Sequence, residues 1–364
     1  MKVMILANND IGLYKFRKEL IEALLVENKV YICLPYGKYV DDLTGLGCRF
    51  VACEFDRHGT NPVSELKLLR FYKNILRAER PDIVLTYTIK PNVYGGMACA
   101  SLGIPYVVNI TGLGTAVENG GVMQRVTLAL YKYGLRKAQR VFFQNESNAD
   151  FLRKAIKLQA ESTILPGSGV NLQQYQVLDF PNGETVDFVF IARVMKEKGI
   201  DQYLEAAEYI RNKYPYTRFH ICGEYEQDYK AKIEELASRG IIVYHGLVDD
   251  MASIHSLSQC TIHPTYYPEG LSNVLLESCA CGRPIITTDR PGCREVIEDG
   301  VNGLLIKQKN SKDLIEKIEK FLAMSREQRM AMGLAGRKKV EKEFDRKIVI
   351  EMYMEEIRKA NVRN

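Results

Sequence analysis

What this sequence lacks narrows its class. Its nine cysteines include no Cys-x-x-Cys pair and stand in apolar surroundings, Cys279-Ala-Cys281 included. A zinc site is therefore not expected, and reduced thiols of a cytosolic protein fit the pattern. Tryptophan is absent. The longest uncharged run, residues 91–117, is broken by Pro91, Pro105, Asn109 and several glycines, so it reads as helix, turn and strand rather than as a membrane span. The opening MKVMILANND is a strand almost from its first residue, with no basic stretch before a longer apolar core, and no secretion signal is expected. Helix-turn-helix and zinc patterns are missing, and aromatics do not interleave with the basic series, which argues against nucleic acid.

What is present is an ordinary globular mix, 46% hydrophobic and 26% charged, in 364 residues, more than one core usually covers. Short apolar runs predict strands at 2–7, 29–34, 49–54, 82–86, 105–110 and 140–144. Helical patterns lie between them at 14–26, 64–78, 92–101, 122–137 and 146–155. This alternation predicts a parallel sheet with helices on both faces. Segments 166–175 and 181–185, rich in Pro, Gly and Asn, read as a linker. The pattern then restarts, with strands at 186–191, 216–222, 241–244, 260–263, 284–287 and 303–305. Helices are predicted at 199–212, 226–238, 250–257, 272–281, 293–298, 311–322, 326–343 and 346–360. Two doubly wound α/β domains facing across a cleft are expected, with ligands beyond the carboxyl ends of the strands.

The stretch YYPEGLSNVLLESCACGRP, residues 266–284, carries Glu269 in a turn and Glu277 in the helix that follows. Ser272 or Asn273 can cap that helix, whose first N–H groups suit a phosphate. Gly270 lets the backbone approach a ligand without a Cβ in the way. Upstream, Arg193 follows a strand and Lys198 precedes Gly199 and a new helix. Two fixed cations after a strand suit a diphosphate leaving group; two solvated surface cations are the plainer reading. The first loop has Gly12 alone, either a turn residue or part of a narrow loop facing diphosphate with Arg17 on the next helix.

Together, Glu269-x7-Glu277, the upstream A-R-V-M-K-E-K-G and the whole of residues 246–306 resemble the family 4 glycosyltransferases of the GT-B fold. The resemblance is close in the second half and loose in the first. It implies that Arg193 and Lys198 hold the diphosphate of a nucleotide-sugar, a UDP-sugar foremost. Glu277 would bind the ribose, and Glu269 would contact the transferred sugar and stabilise positive charge at its anomeric carbon. Backbone at Gly270, Leu271 and Ser272 would touch phosphate or sugar. The family retains anomeric configuration and needs no metal or other cofactor. Many relatives carry a histidine after a first-domain strand in a T-x-H setting; here Thr111 and Gly112 stand at that place.

LTYTIKPNVYGG and NITGLGTA resemble a bacterial subgroup that adds a hexose or N-acetylhexosamine to an undecaprenyl-diphosphate-linked saccharide for capsule, O-antigen or protein glycans. Thr88, Lys90, Thr111 and Gly112 would then lie on the acceptor side. Lys90 would meet the acceptor's phosphate, or would simply flank a helix at the surface. The domains implied are 1–170 for the acceptor, 171–345 for the nucleotide-sugar, and a helix in 346–364 crossing back to the first.

Lys and Arg outnumber Asp and Glu by 22 to 16 over residues 1–180, against 28 to 29 in the remainder. Lys67, Arg70, Lys73 and Arg77 share a helix face at spacings of three and four. Lys132, Arg136 and Arg140 make a second series. These predict peripheral attachment to an anionic membrane surface, the inner face of the cytoplasmic membrane, at about 1 kcal/mol per cation; solvated faces are the alternative. A retaining glycosidase is disfavoured, because eight helical residues separate two acids by about 12 Å rather than the roughly 5 Å such an enzyme needs. A non-catalytic nucleotide-sugar-binding scaffold and an epimerase or phosphorylase-like enzyme of the same fold remain as rivals.

Overall fold

The computed structural model describes residues 1–54, 61–118 and 120–363, so Asn364 of the expected C-terminal segment lies outside the described residues. The chain divides into two units: Met1–Ser168 with Pro268–Leu271 and the chain from Lys347 on, and Gly169–Tyr267 with Ser272–Arg346.

The first unit runs β1 (Lys2–Leu6), α1 (Asp10–Leu25), β2 (Lys29–Leu34), α2 (Val40–Gly45), β3 (Arg49–Ala52), α3 (Pro62–Glu79), β4 (Ile83–Tyr87), a wide π turn (Pro91–Gly95), α4 (Gly96–Leu102), β5 (Tyr106–Ile110), α5 (Thr115–Glu118), α6 (Gly121–Leu135), β6 (Arg140–Phe143), α7 (Glu146–Ile156) and β7 (Ser162–Ile164). The sheet is parallel in the order β3-β2-β1-β4-β5-β6-β7. Alternate strand residues feed two cores. Met4, Leu6, Val84, Tyr106 and Val141 pack with α3, α4, α6 and α7. Val3, Ile5, Leu85, Val107 and Phe142 pack with α1, α2 and the chain's last helix. Coverage on both faces explains why the strands read as unbroken apolar runs.

The second unit runs β8 (Val186–Ile191), a 3-10 turn (Lys196–Lys198), α8 (Ile200–Lys213), β9 (Thr217–Cys222), α9 (Lys230–Ser238), β10 (Val243–Gly246), α10 (Met251–Leu257), β11 (Cys260–His263), α11 (Asn273–Ala280), β12 (Ile285–Thr288), β13 (Gly303–Ile306), α12 (Ser311–Leu322) and α13 (Arg326–Glu343). Its parallel sheet has the order β10-β9-β8-β11-β12-β13, so the strand order reverses between β8 and β11.

The last helix, α14 (Arg346–Arg363), packs on the first unit from Lys347 onward. Tyr353 stacks edge-on against Phe142, and Glu356 pairs with Arg140 at 3.1 Å.

Three expectations are corrected. Of the two expected linker segments, 166–175 contains the boundary between the units, at Ser168 and Gly169, but 181–185 lies within the second unit. Leading into it, Arg283, fully buried, donates to the carbonyls of Leu178 and Asp179, and Arg326 to those of Phe180 and Pro181. The guanidinium groups fold this irregular backbone onto the second unit by filling its carbonyls. Residues 293–298 are turns rather than helix. There the Asn302 amide takes the Glu298 N–H and gives to the Val296 carbonyl, competing with helical bonding. Arg140 does not continue a basic helix face: it opens β6 and is ion-paired with Glu161 and Glu356.

Candidate active site

The loops leaving β8 and β11 meet at the second sheet's reversal point, where open α/β sheets place ligands. Gly199 sits at φ 80°, and a Cβ there would strike the Pro264 carbonyl, so the loops touch backbone to backbone. The Tyr266 N–H donates to the Glu197 carbonyl at 2.8 Å, closing the seam. This contact presents one aromatic ring to both expected cations. The Arg193 guanidinium lies 5.6 Å and the Lys198 ammonium 4.8 Å from the centre of the Tyr267 ring. Arg193 also bridges Glu226 at 3.1 Å, a half-exposed pair of small energetic weight. Arg193 can therefore exchange that partner for a ligand at little cost.

Helix α11 begins beside this seam. Ser272 is its N-cap by position, but its hydroxyl bonds His263 Nε2 at 3.1 Å rather than capping the helix. The Ser272 N–H donates to the Gly292 carbonyl, and the Gly292 N–H donates to the Glu295 carboxylate. Ser272 thus anchors the helix with its own N–H engaged. The donors left for a phosphate are those of the first turn, Asn273 onward. Ser278 bonds Thr261 at 2.9 Å, pinning α11 to β11. Asn273 Oδ1 is buried without a hydrogen-bond partner among the described residues. Glu277 is half-buried and neighbours Tyr175, whose phenol burial pushes up first and the Glu277 charge second.

The Pro268–Leu271 segment is held within the first unit. The Gly270 N–H donates to the Thr111 carbonyl at 2.9 Å, Asn145 Nδ2 donates to the Gly270 carbonyl, and Asn148 Nδ2 to the Glu269 carbonyl at 3.3 Å. A Cβ on Gly270 would meet the Thr111 carbonyl at 2.5 Å, and one on Gly112 would meet the Pro268 carbonyl at 3.0 Å. Leu271 is buried against Gly167. Thr111 and Gly112 therefore support the backbone that carries Glu269.

The other first-unit residues are placed as follows. Gly12 is not in a loop: it belongs to the first turn of α1, and its N–H is capped by Asn9 Oδ1 at 2.7 Å. Thr88, just past β4, holds a left-handed φ of 70°, unusual for a β-branched residue and a mark of functional strain elsewhere. Lys90 is largely buried and bridges Glu65 at 2.6 Å, so its charge is already engaged. On α3, Lys67, Arg70 and Arg77 are exposed and Lys73 is half-buried.

Sequence reading missed Tyr267, Tyr175, Asn145, Asn148 and Lys309, whose ammonium lies 4.7 Å from the Tyr266 ring. Asn145 and Asn148 lie in QNESNAD, where Asn before a helix signals a cap but not a second bond to a distant loop. A lysine left-handed at φ 56° between a strand and a helix gives no sequence signal of its own.

Two doubly wound parallel units, one with a paired-cation loop and an acid-bearing helix at its reversal point, have the architecture of the GT-B fold. Residues 177–339 match the family described as "Glycosyl transferases group 1", and residues 2–145 that described as "Glycosyl transferase 4-like". The chain belongs to these glycosyltransferases. It is 26% identical, over 97% of each chain, to the N,N'-diacetylbacillosaminyl-diphospho-undecaprenol alpha-1,3-N-acetylgalactosaminyltransferase of Campylobacter jejuni. It is 23% identical, over 67% of each, to the UDP-Gal:alpha-D-GlcNAc-diphosphoundecaprenol alpha-1,3-galactosyltransferase of Escherichia coli. In fold it is similar to Anabaena HepE solved with UDP-glucose, at a TM-score of 0.80 and 17% identity over 99% of this chain and 100% of that one.

Proposed function

We propose that the protein is a retaining, metal-independent glycosyltransferase. It would move a hexose or N-acetylhexosamine from a nucleotide-sugar, foremost a UDP-sugar, to a polyprenyl-diphosphate-linked saccharide in surface polysaccharide or glycan assembly. The observation that carries the donor half is Arg193 and Lys198 converging on Tyr267 beside the start of α11. Two cations and the helix dipole offset the charge that grows on a departing nucleoside diphosphate, the part a divalent ion plays elsewhere. Glu277 takes the ribose hydroxyls. Glu269, with Gly270 and Leu271, faces the transferred sugar, and its carboxylate stabilises the developing positive anomeric carbon. The lipid-linked acceptor is supported by the Campylobacter and Escherichia relatives, which by name act on such acceptors. Thr88, strained at its left-handed φ, and the Thr111–Gly112 segment would lie on the acceptor side. Among the described residues no helix is long and apolar enough to cross a membrane. Attachment would be peripheral, through cationic first-unit faces on the cytoplasmic side.

A panel of UDP-sugars and GDP-mannose, each with a polyprenyl-diphosphate saccharide, tests this reading by release of UDP or GDP. The expected result is acceptor-dependent release with one donor. Tight donor binding without turnover would point instead to a scaffold, and acceptor-independent conversion to an epimerase or phosphorylase-like enzyme. Glu269→Gln is expected to lower turnover by about 10²-fold or more with folding intact.

A further inference from the structure

We propose that the outer face of α6 is a membrane-docking surface: an apolar ridge bordered by cations that seats on an anionic phospholipid bilayer. The proposal rests on the membrane-surface reading above and narrows its two basic series to the one on α6.

Val122, Val126, Ala129 and Tyr133 follow spacings of four, three and four. At about 100° per residue they fall within roughly 60° of one another, a straight ridge along the helix. The ridge is open to solvent: Val122 is 77%, Val126 48% and Tyr133 58% exposed, and Met123 beside it 47%. Arg125, Lys132 and Arg136 form the adjoining strip, all exposed. The opposite face, Thr127, Tyr131, Gly134 and Leu135, is buried in the first unit. A helix apolar on both sides is ordinarily enclosed by protein; this one presents its second apolar face outward. The charge on that face has one sign, since no Asp or Glu occurs between Glu118 and Glu146. Solvated surfaces mix both signs. An aliphatic and tyrosine ridge beside cations is the composition of helices that lie in the headgroup region.

The face is fixed. A Cβ on Gly134 would meet Val93 Cα at 2.7 Å, so α6 lies directly on the π turn. Tyr106 donates to the Gly134 carbonyl at 2.9 Å, and Gln124 donates to the Val117 carbonyl at 2.6 Å. With both ends tied, the helix cannot roll its valines inward. Helix α3 is the weaker candidate. Its exposed large apolar residues, Val63 and Leu66, are confined to the first turns, and its length includes Glu65 and Glu79.

The absence of tryptophan provides the test. Val126→Trp and, on α3, Leu66→Trp each give the full chain a single indole. Each is mixed with phosphatidylglycerol–phosphatidylcholine vesicles, with pure phosphatidylcholine vesicles, and with the former carrying brominated chains. The expected result is a blue-shifted emission, quenched by brominated lipid, for Val126→Trp on the anionic vesicles, with Leu66→Trp unshifted. Wild-type chain should co-sediment with the anionic vesicles, and Val122→Ser/Val126→Ser should lower that partition at least tenfold while circular dichroism and melting stay as in wild type. Co-sedimentation of wild type with an unshifted, unquenched Val126→Trp overturns the α6 surface and leaves the membrane reading standing. The same holds if Leu66→Trp alone responds. Failure of wild type to co-sediment overturns both and turns attention to an acidic protein partner.

Discussion

Asn145 uses one amide for two purposes. Its Oδ1 accepts the Asn148 N–H at 2.8 Å, capping α7, while its Nδ2 donates to the Gly270 carbonyl in the segment that carries Glu269. Asn145→Asp separates the two. A carboxylate still caps the helix, with an added dipole benefit of about 0.3–1 kcal/mol. It no longer donates, and it faces a carbonyl oxygen instead. Turnover is expected to fall tenfold or more while the melting temperature moves by only a few degrees, since one buried hydrogen bond amounts to about 1–3 kcal/mol. Steady-state rates beside a thermal melt check this; unchanged turnover would remove Asn145 as support for Glu269. Nothing in QNESNAD shows this second bond, because the partner is 125 positions away. Glu277 and the Arg193/Lys198 pair stand out in the sequence as short-range patterns of charge around strand and helix ends, and both cations face one ring in the fold. Tyr267, which brings those two cations together, was not, because an aromatic near a strand's end looks like core.

At the scale of elements, boundaries were readable wherever local chemistry decided them. Strands β2, β8 and β11 are short apolar runs with both faces covered, and their ends match the sequence reading. Helices α12 and α13 match because Asn310 caps one, and Ser325 with Gln328 forms a capping box on the other. Elements decided by long-range bonds are the ones misread, and the 181–185 segment, expected as linker but held in the second unit through the backbone just before it, is the clearest case. Buried Arg283 fills the carbonyls of His255, Leu178 and Asp179 and lies over the Phe180 ring. Burial lowers its pKa to about 10, so it remains charged at neutral pH. Arg283→Met keeps much of the packing but leaves three carbonyls without their charged donor. A loss of about 3 kcal/mol or more is expected. Urea unfolding checks the value, and a loss below about 1 kcal/mol would show that this clamp is not what holds the segment.

At the scale of the whole molecule, acid sensitivity and ligand binding are the tests. His255 is fully buried on α10, and neither ring nitrogen has a hydrogen-bond partner among the described residues. Burial, and then the Arg283 charge, lowers its pKa from 6.5 to about 4. The unfolded chain therefore binds this proton more readily than the folded one. The stabilising contribution is full above pH ~6.5 and is lost as pH falls toward ~4, amounting to about 3 kcal/mol. Denaturant titrations across that range should show the decline in wild type and a shallower one in His255→Leu; equal slopes would exclude His255 as the cause.

The claim on which the account rests is that a nucleoside diphosphate lies against Arg193 and Lys198. Calorimetric titration of UDP, and of GDP, into wild type, Arg193→Ala and Lys198→Ala tests it most directly. The account predicts that wild type binds one of the two and that each substitution weakens its affinity by about tenfold or more, the worth of a charge-assisted hydrogen bond. Wild-type affinity in both variants would contradict it.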